Sequence, residues 1–181
     1  MSASPELTGT YTIDPSHSRL GFVARHAMVT KVRGNFADFG GSVTIDGDNP
    51  ANSQVTVTAK LASIDTGDAG RDEHLRSADF FDVENHPDMT FVSTAITPKG
   101  GDDYTVVGDL TIGATTKSVT LNLEYTGAAT DPFGNDRIGF EGAAEINRKD
   151  WGLEWNAVLE TGGILVSEKV KLELDISAIC G

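Results

Sequence analysis

Apolar and polar positions alternate with a period of two along most of the chain, the pattern of strands that bury one face. In RLGFVARH, Leu20, Phe22 and Ala24 share a face opposite Arg19 and Arg25. Val55, Val57, Ala59 and Leu61 alternate with Thr56, Thr58 and Lys60, and Val119, Leu121, Leu123 and Tyr125 with Thr120, Asn122 and Glu124. Similar rows run through Tyr104–Ile112, Ile138–Ile146 and Val170–Ile176. The clusters DGDNP, PKGGDD and TDPFGND supply turns between them. No linker, low-complexity tract or internal repeat interrupts the order. The pattern predicts one all-β domain of about eight long strands, which must close or double over to protect its edges.

Two stretches break the alternation. RDEHLRSADFFDV, Arg71 to Val83, follows Asp68, a good N-cap, and carries Asp72 and Glu73 where a helix dipole favours negative charge. Arg71, His74, Leu75 and Ala78 then share one face, which predicts a short helix over 69–77 at the rim of the sheet. NRKDWGLEWN, Asn147 to Asn156, sets Trp151 and Trp155 about Gly152 and reads as a second rim segment. Its tryptophans either stack on a ligand or cover a barrel end.

The inward rows mix Phe22, Phe91 and Phe140 with Ala24, Ser93, Gly108, Gly142 and Ala144. Small inward residues leave volume, and an eight-stranded barrel is about wide enough for one slender ligand. The same alternation fits a filled barrel whose glycines accept bulky neighbours, so both readings stand at this point.

Charge narrows the partners. Among 181 residues, 27 acidic side chains face 14 basic ones, a net charge of −13, with no Lys/Arg cluster in the sequence. That balance opposes docking on nucleic acid or on anionic membrane surfaces. The opening MSASPELTGTYTIDP has no basic and apolar leader pattern, and no apolar run approaches the roughly 20 residues of a span. The expectation is a soluble cytoplasmic protein without stable membrane insertion. Cys180, the only cysteine, supplies neither an internal disulfide nor a CxxC motif. His17, His26, His74 and His86 have no metal-ligand spacing, so no metal and no other cofactor is expected. His26 ends the inward row of Leu20, Phe22 and Ala24 and is a candidate hydrogen-bonding partner for a ligand head group.

In order, the chain shows Asp14-x-x-His17-Ser18, Gly34-x-Phe36, the block Arg71-Asp72-x-His74-Leu75 through Asp79-Phe80-Phe81, then VVGDLTIGATTKSVTL and INRKDWGLEWNAVLETGGILVSEKVKLELDI. Together these closely resemble the YceI-like family of lipid- and polyisoprenoid-binding proteins. The likeness covers residues 9–178, taken as the domain, and leaves 1–8 as an N-terminal extension. The resemblance implies a single lipocalin-like, elongated antiparallel β-barrel with an apolar pocket for a long isoprenoid, an isoprenoid quinone or a similar amphiphile. It also implies that members often form homodimers and that many relatives are exported to the periplasm.

The cluster of Arg71, Asp72, His74 and Asp79 admits a catalytic reading, which needs a nucleophile or a substrate carbonyl within reach of His74. The sequence offers no G-x-S-x-G elbow. The preferred reading is a clamp that ties the helix to neighbouring strand ends and drives Leu75, Phe80 and Phe81 into the barrel mouth. The protein is then no enzyme. It binds a long-chain lipid for storage, sequestration or transport, with no catalytic residues. Strand parity and the family likeness select Phe22, Phe36, Ile64, Leu75, Phe80, Phe91, Leu110, Leu121, Phe140 and Trp155 as ligand-binding candidates. A pyrophosphate head would further require Arg19, Arg25, Arg71 or Arg76 to gather at the mouth. The alternatives are a lipid-directed hydrolase or isomerase built on His74, and a packed β-domain acting through protein partners.

Overall fold

The computed structural model describes residues 7–27, 29–154 and 166–181. Among these, eleven strand segments form one antiparallel sheet. They are β1 (Gly9–Ile13), β2 (Arg19–His26), β3 (Thr30–Phe36), β4 (Phe39–Ile45), β5 (Gln54–Lys60), β6 (Ile64–Asp65), β7 (Asp88–Gly100), β8 (Asp103–Ile112), β9 (Thr115–Thr130), β10 (Asp136–Asn147) and β11 (Lys169–Cys180). The order β1-β4-β5-β7-β8-β9-β10-β11 closes on itself because β11 also pairs with β1. The result is a closed eight-stranded antiparallel barrel.

The other three segments are continuations. Strand β11 holds β1 through Ala178–Cys180 and β2 through Lys171–Asp175, so β1 and β2 are halves of one broken strand. The break is a 3-10 turn, Pro15–His17, at which proline removes a ladder donor. Asp14 caps that turn by accepting from the Ser16 amide. In the same way β4 and β3 lie side by side with β1 and β2, while β5 and β6 are separated by the 3-10 turn Leu61–Ser63. Closure pairs both sides of the eight barrel strands, whereas β3 meets β6 only at Asn35 and Phe36.

Helix α1 (Ala69–Arg76) follows β6, with Asp68 as its N-cap accepting from the Arg71 amide at 3.0 Å. Because β6 runs antiparallel to β3, the chain leaves Asp65 toward the β2–β3 turn. Two further contacts gather other connections at the same end of the barrel. His86 lies against Gly113 of the β8–β9 turn, and the Arg148 guanidinium sits 5.9 Å from the centre of the Phe80 ring.

The inward glycines do not leave open space. A Cβ on Gly108 would overlap the Phe91 ring and stand 2.7 Å from the Val92 carbonyl oxygen. One on Gly142 would overlap Leu123 and stand 2.7 Å from the Asn122 carbonyl oxygen. At these positions a neighbour's bulk fills what the small residue vacates, and the volume inside the barrel has another origin.

Candidate functional site

That volume is an internal cavity of about 260 Å³ enclosed by the inward rows and by α1 with the turn after it. Its wall is almost wholly apolar. A water molecule inside would find almost none of the two to four polar partners it needs, so the space is suited to hydrocarbon. Phe36, buried on β3, is a hub, with ring centroids 5.8 Å from Phe22 and 6.1 Å from Phe81. Leu75 of α1 and Phe80 complete the wall at the helix end.

All nine candidates within the described residues line this cavity: Phe22, Phe36, Ile64, Leu75, Phe80, Phe91, Leu110, Leu121 and Phe140. Trp155 lies outside the described residues. Trp151 is buried and donates its indole N–H to the Leu110 carbonyl at 2.9 Å, so it covers the barrel end. His26 is exposed at the end of β2, where it bridges to Val166, and is not among the residues that line the cavity.

The polar groups of α1 are tied to the backbone around it. Arg71 donates through Nε to Thr66 Oγ1 at 2.7 Å and through Nη2 to the Thr66 carbonyl at 2.8 Å. Asp72, buried, accepts from the Thr66 amide and hydroxyl at 2.9 and 2.5 Å. Arg76 donates to the carbonyls of Ala62 and Ile64 at 2.9 and 3.2 Å. His74 pairs with Asp79 at 2.9 Å and packs edge-on against Phe80. The hydroxyls in this cluster are spent on structure. Ser77 donates to the His74 carbonyl and Thr66 to Asp72, so neither is held against an imidazole nitrogen as a nucleophile. The geometry is that of a clamp.

One cation on the cavity wall was not among the candidates chosen from the sequence. Arg148 is 5% exposed, lines the cavity, and donates to the carbonyls of Ser167, Leu153 and Val166 at 2.9, 2.5 and 3.2 Å. Burial pulls its guanidinium below its ordinary value, an effect that Glu168 opposes. The signal was present: Arg148 continues the period-two row of Phe140, Gly142, Ala144 and Ile146 one step beyond the strand end. The arginines suggested for a charged head are not gathered there. Arg71 and Arg76 hold backbone carbonyls, Arg19 lies 3.9 Å from Glu173, and Arg25 points outward.

Among the described residues no group of three or more His, Cys, Asp or Glu side chains is arranged to hold a metal, and no helix is long and apolar enough to cross a membrane.

Comparison with known proteins agrees with the architecture. The model of the YceI-like domain matches residues 11–178. A UPF0312 protein of Photorhabdus laumondii is 44% identical over 156 residues, covering 85% of this chain and 81% of its own. The crystal structure of BcnA from Burkholderia cenocepacia superposes with a TM-score of 0.80 at 27% identity, covering 91% of this chain and 98% of its own. A polyisoprenoid-binding domain from Saccharophagus degradans, implicated in plant cell wall breakdown, shares the fold with a TM-score of 0.69 at 16% identity, covering 94% and 98%. With a family match running from the first barrel strand to the last, the chain belongs to the YceI-like family.

Proposed function

We propose that this protein binds, without catalysis, a long-chain isoprenoid or similar amphiphilic lipid inside the barrel, as a store, sequestering agent or carrier. The observation that carries the reading is the closed barrel's cavity, whose wall is almost wholly apolar. The same fold serves as a polyisoprenoid-binding domain in Saccharophagus degradans, which agrees with this assignment. Each buried CH₂ contributes roughly 0.8 kcal/mol, so a short run of isoprene units offsets the cost of ordering the chain with little polar contact. The wall residues Phe22, Phe36, Leu75, Phe80, Phe91 and Phe140 are the proposed contacts for the chain. Arg148 is the proposed neighbour of its polar end.

Calorimetric titration with a neutral isoprenoid quinone tests the reading. Binding should carry a negative heat-capacity change and be nearly independent of ionic strength, because apolar burial is little affected by Debye screening. A steep salt dependence for this neutral ligand would contradict it.

A further inference from the structure

Residues 19–37 hold Arg19, Arg25, Lys31 and Arg33 and not one of the chain's 27 carboxylates. In sequence these cations look scattered. Folding of the β2–β3 ribbon sets Arg25 directly opposite Lys31 and Arg33 opposite Val23, whose other neighbour is Lys171 of β11. This outward face therefore gathers Arg25, Lys31, Arg33 and Lys171, with Glu145 of β10 opposite Lys171 on its far side, a cluster that the linear sequence does not display. Like charges directly opposite one another on paired strands destabilise a sheet. Yet among the described residues no carboxylate lies within ion-pairing distance of Arg25, Lys31 or Arg33.

The tip of the ribbon adds an apolar element. Val29 is 77% exposed, next to a turn in which Ala27 takes a left-handed conformation (φ 52°). The base of the ribbon belongs to the cavity, because Phe22, Ala24 and Val166, the bridge partner of His26, all line it. A basic face, whose Arg25, Lys31 and Arg33 meet no carboxylate among the described residues, thus rises with an exposed apolar tip from the helix end of the cavity.

We propose that the β2–β3 ribbon docks the protein reversibly on an anionic bilayer, with Val29 in the interface and Arg25, Lys31, Arg33 and Lys171 against lipid phosphates. The net charge of −13 does not forbid this. Screening confines repulsion from the distant carboxylates to about 8 Å at physiological ionic strength, and the face that touches the membrane is locally positive. A nucleic acid fits less well, since among the described residues this outward face offers no aromatic ring for base stacking. Docking would bring the cavity's helix end to the bilayer surface. That consequence rests on the proposed lipid-binding function, whereas the docking itself does not.

Co-sedimentation of the full chain with vesicles of phosphatidylcholine alone, and of phosphatidylcholine with about one-third phosphatidylglycerol, tests the proposal. Binding is expected only to the anionic vesicles, weakening as salt rises. Each basic side chain is worth about fivefold, so the combined Arg25→Gln, Lys31→Gln, Arg33→Gln variant should bind more than tenfold more weakly. Val29→Asp should weaken binding on its own, which keeps the test open if the triple variant fails to fold. No binding to either vesicle, equal binding to both, or full binding by the variants would overturn the proposal. So would capture of a DNA duplex by the ribbon with no vesicle binding. Lipid extracted from the same preparations separates the two ideas. Docking by a protein that never yields a bound lipid would sink the lipid-binding function and leave the docking surface standing.

Discussion

The ring of Phe22 occupies the space in which a Cβ on Gly34 would stand. That Cβ would overlap Cζ and lie 2.9 Å from Cε1 of the ring. The two residues are directly paired across β2 and β3, and Phe22 faces the cavity. Glycine at position 34 therefore lets the ring lie against the wall of the barrel and keeps the centre open.

Gly34→Ala should push the Phe22 ring into the cavity. Ligand occupancy should fall, while unfolding free energy drops by only about 1 kcal/mol, because the ring has free volume to move into. Gly41→Ala is the contrast. A Cβ there would overlap the Thr56 carbonyl oxygen and lie 2.9 Å from the Val57 Cα. Backbone does not yield as a ring does, so this variant should lose about 3 kcal/mol or more. Denaturant unfolding and lipid retention, measured on both proteins, check the pair.

Leu110→Trp tests the cavity from the opposite wall. Leu110 is buried and lines it, and its carbonyl, which anchors Trp151, is unaffected by the substitution. Added bulk should compete with the ligand and reduce occupancy more than stability. Equal losses of fold and binding would point to a packed core instead. Gly142→Phe, which the alternation alone would recommend, is a poor probe because it collides with Leu123 and the Asn122 backbone.

Arg137 bridges Asp14 and Asp131 with 2.8 Å contacts to each and predicts an acid-sensitive fold. The guanidinium holds both carboxyls well below the usual carboxylate range, with Ser16 and His17 assisting at Asp14 and the Asn135 amide at Asp131. Groups whose folded value is depressed stabilise the fold above their unfolded value, about pH 4, and lose that contribution as the pH falls below it. Unfolding free energy measured against pH should therefore decline below about pH 4. Arg137→Gln should be less stable at neutral pH and should converge on the parent at the most acidic values. A variant that tracks the parent in parallel at every pH would exclude this origin.

Arg71→Ala and His74→Ala should loosen α1 and speed ligand exchange without removing any chemistry. The clamp contacts of Arg71 to Thr66 and of His74 to Asp79 hold the segment that places Leu75 and Phe80 on the cavity wall. Exchange rates of a fluorescent lipid report the loosening. Hydrolysis of lipid esters by the parent that vanishes in His74→Ala would promote the enzymatic alternative.

Period-two alternation made the barrel legible, because each strand has one face in the apolar interior and one in water. The helix was equally legible, since Asp68 supplies an N-cap and the following charges suit its first turn. What alternation does not convey is which neighbour occupies the space over a small residue. Gly108 and Gly142 fitted open volume and bulky neighbours equally well in the sequence, and Phe91 and Leu123 fill them. Arg148 was hidden because a charge at the end of an apolar row looks like the row's end, although its guanidinium is satisfied by carbonyls from Leu153, Val166 and Ser167. The basic ribbon was hidden for a different reason. Arg25 and Lys31 become neighbours only when the hairpin sets their strands in register.

Mass spectrometry of the lipid extracted from protein purified without detergent bears most directly on the central claim. A wall as apolar as that formed by Phe22, Phe36, Leu75, Phe91 and Phe140 predicts one dominant long-chain isoprenoid or similar lipid, near one per chain, lost or reduced in Leu110→Trp. Repeated preparations that carry no such lipid, and that take up none from a supplied isoprenoid quinone, would contradict the account.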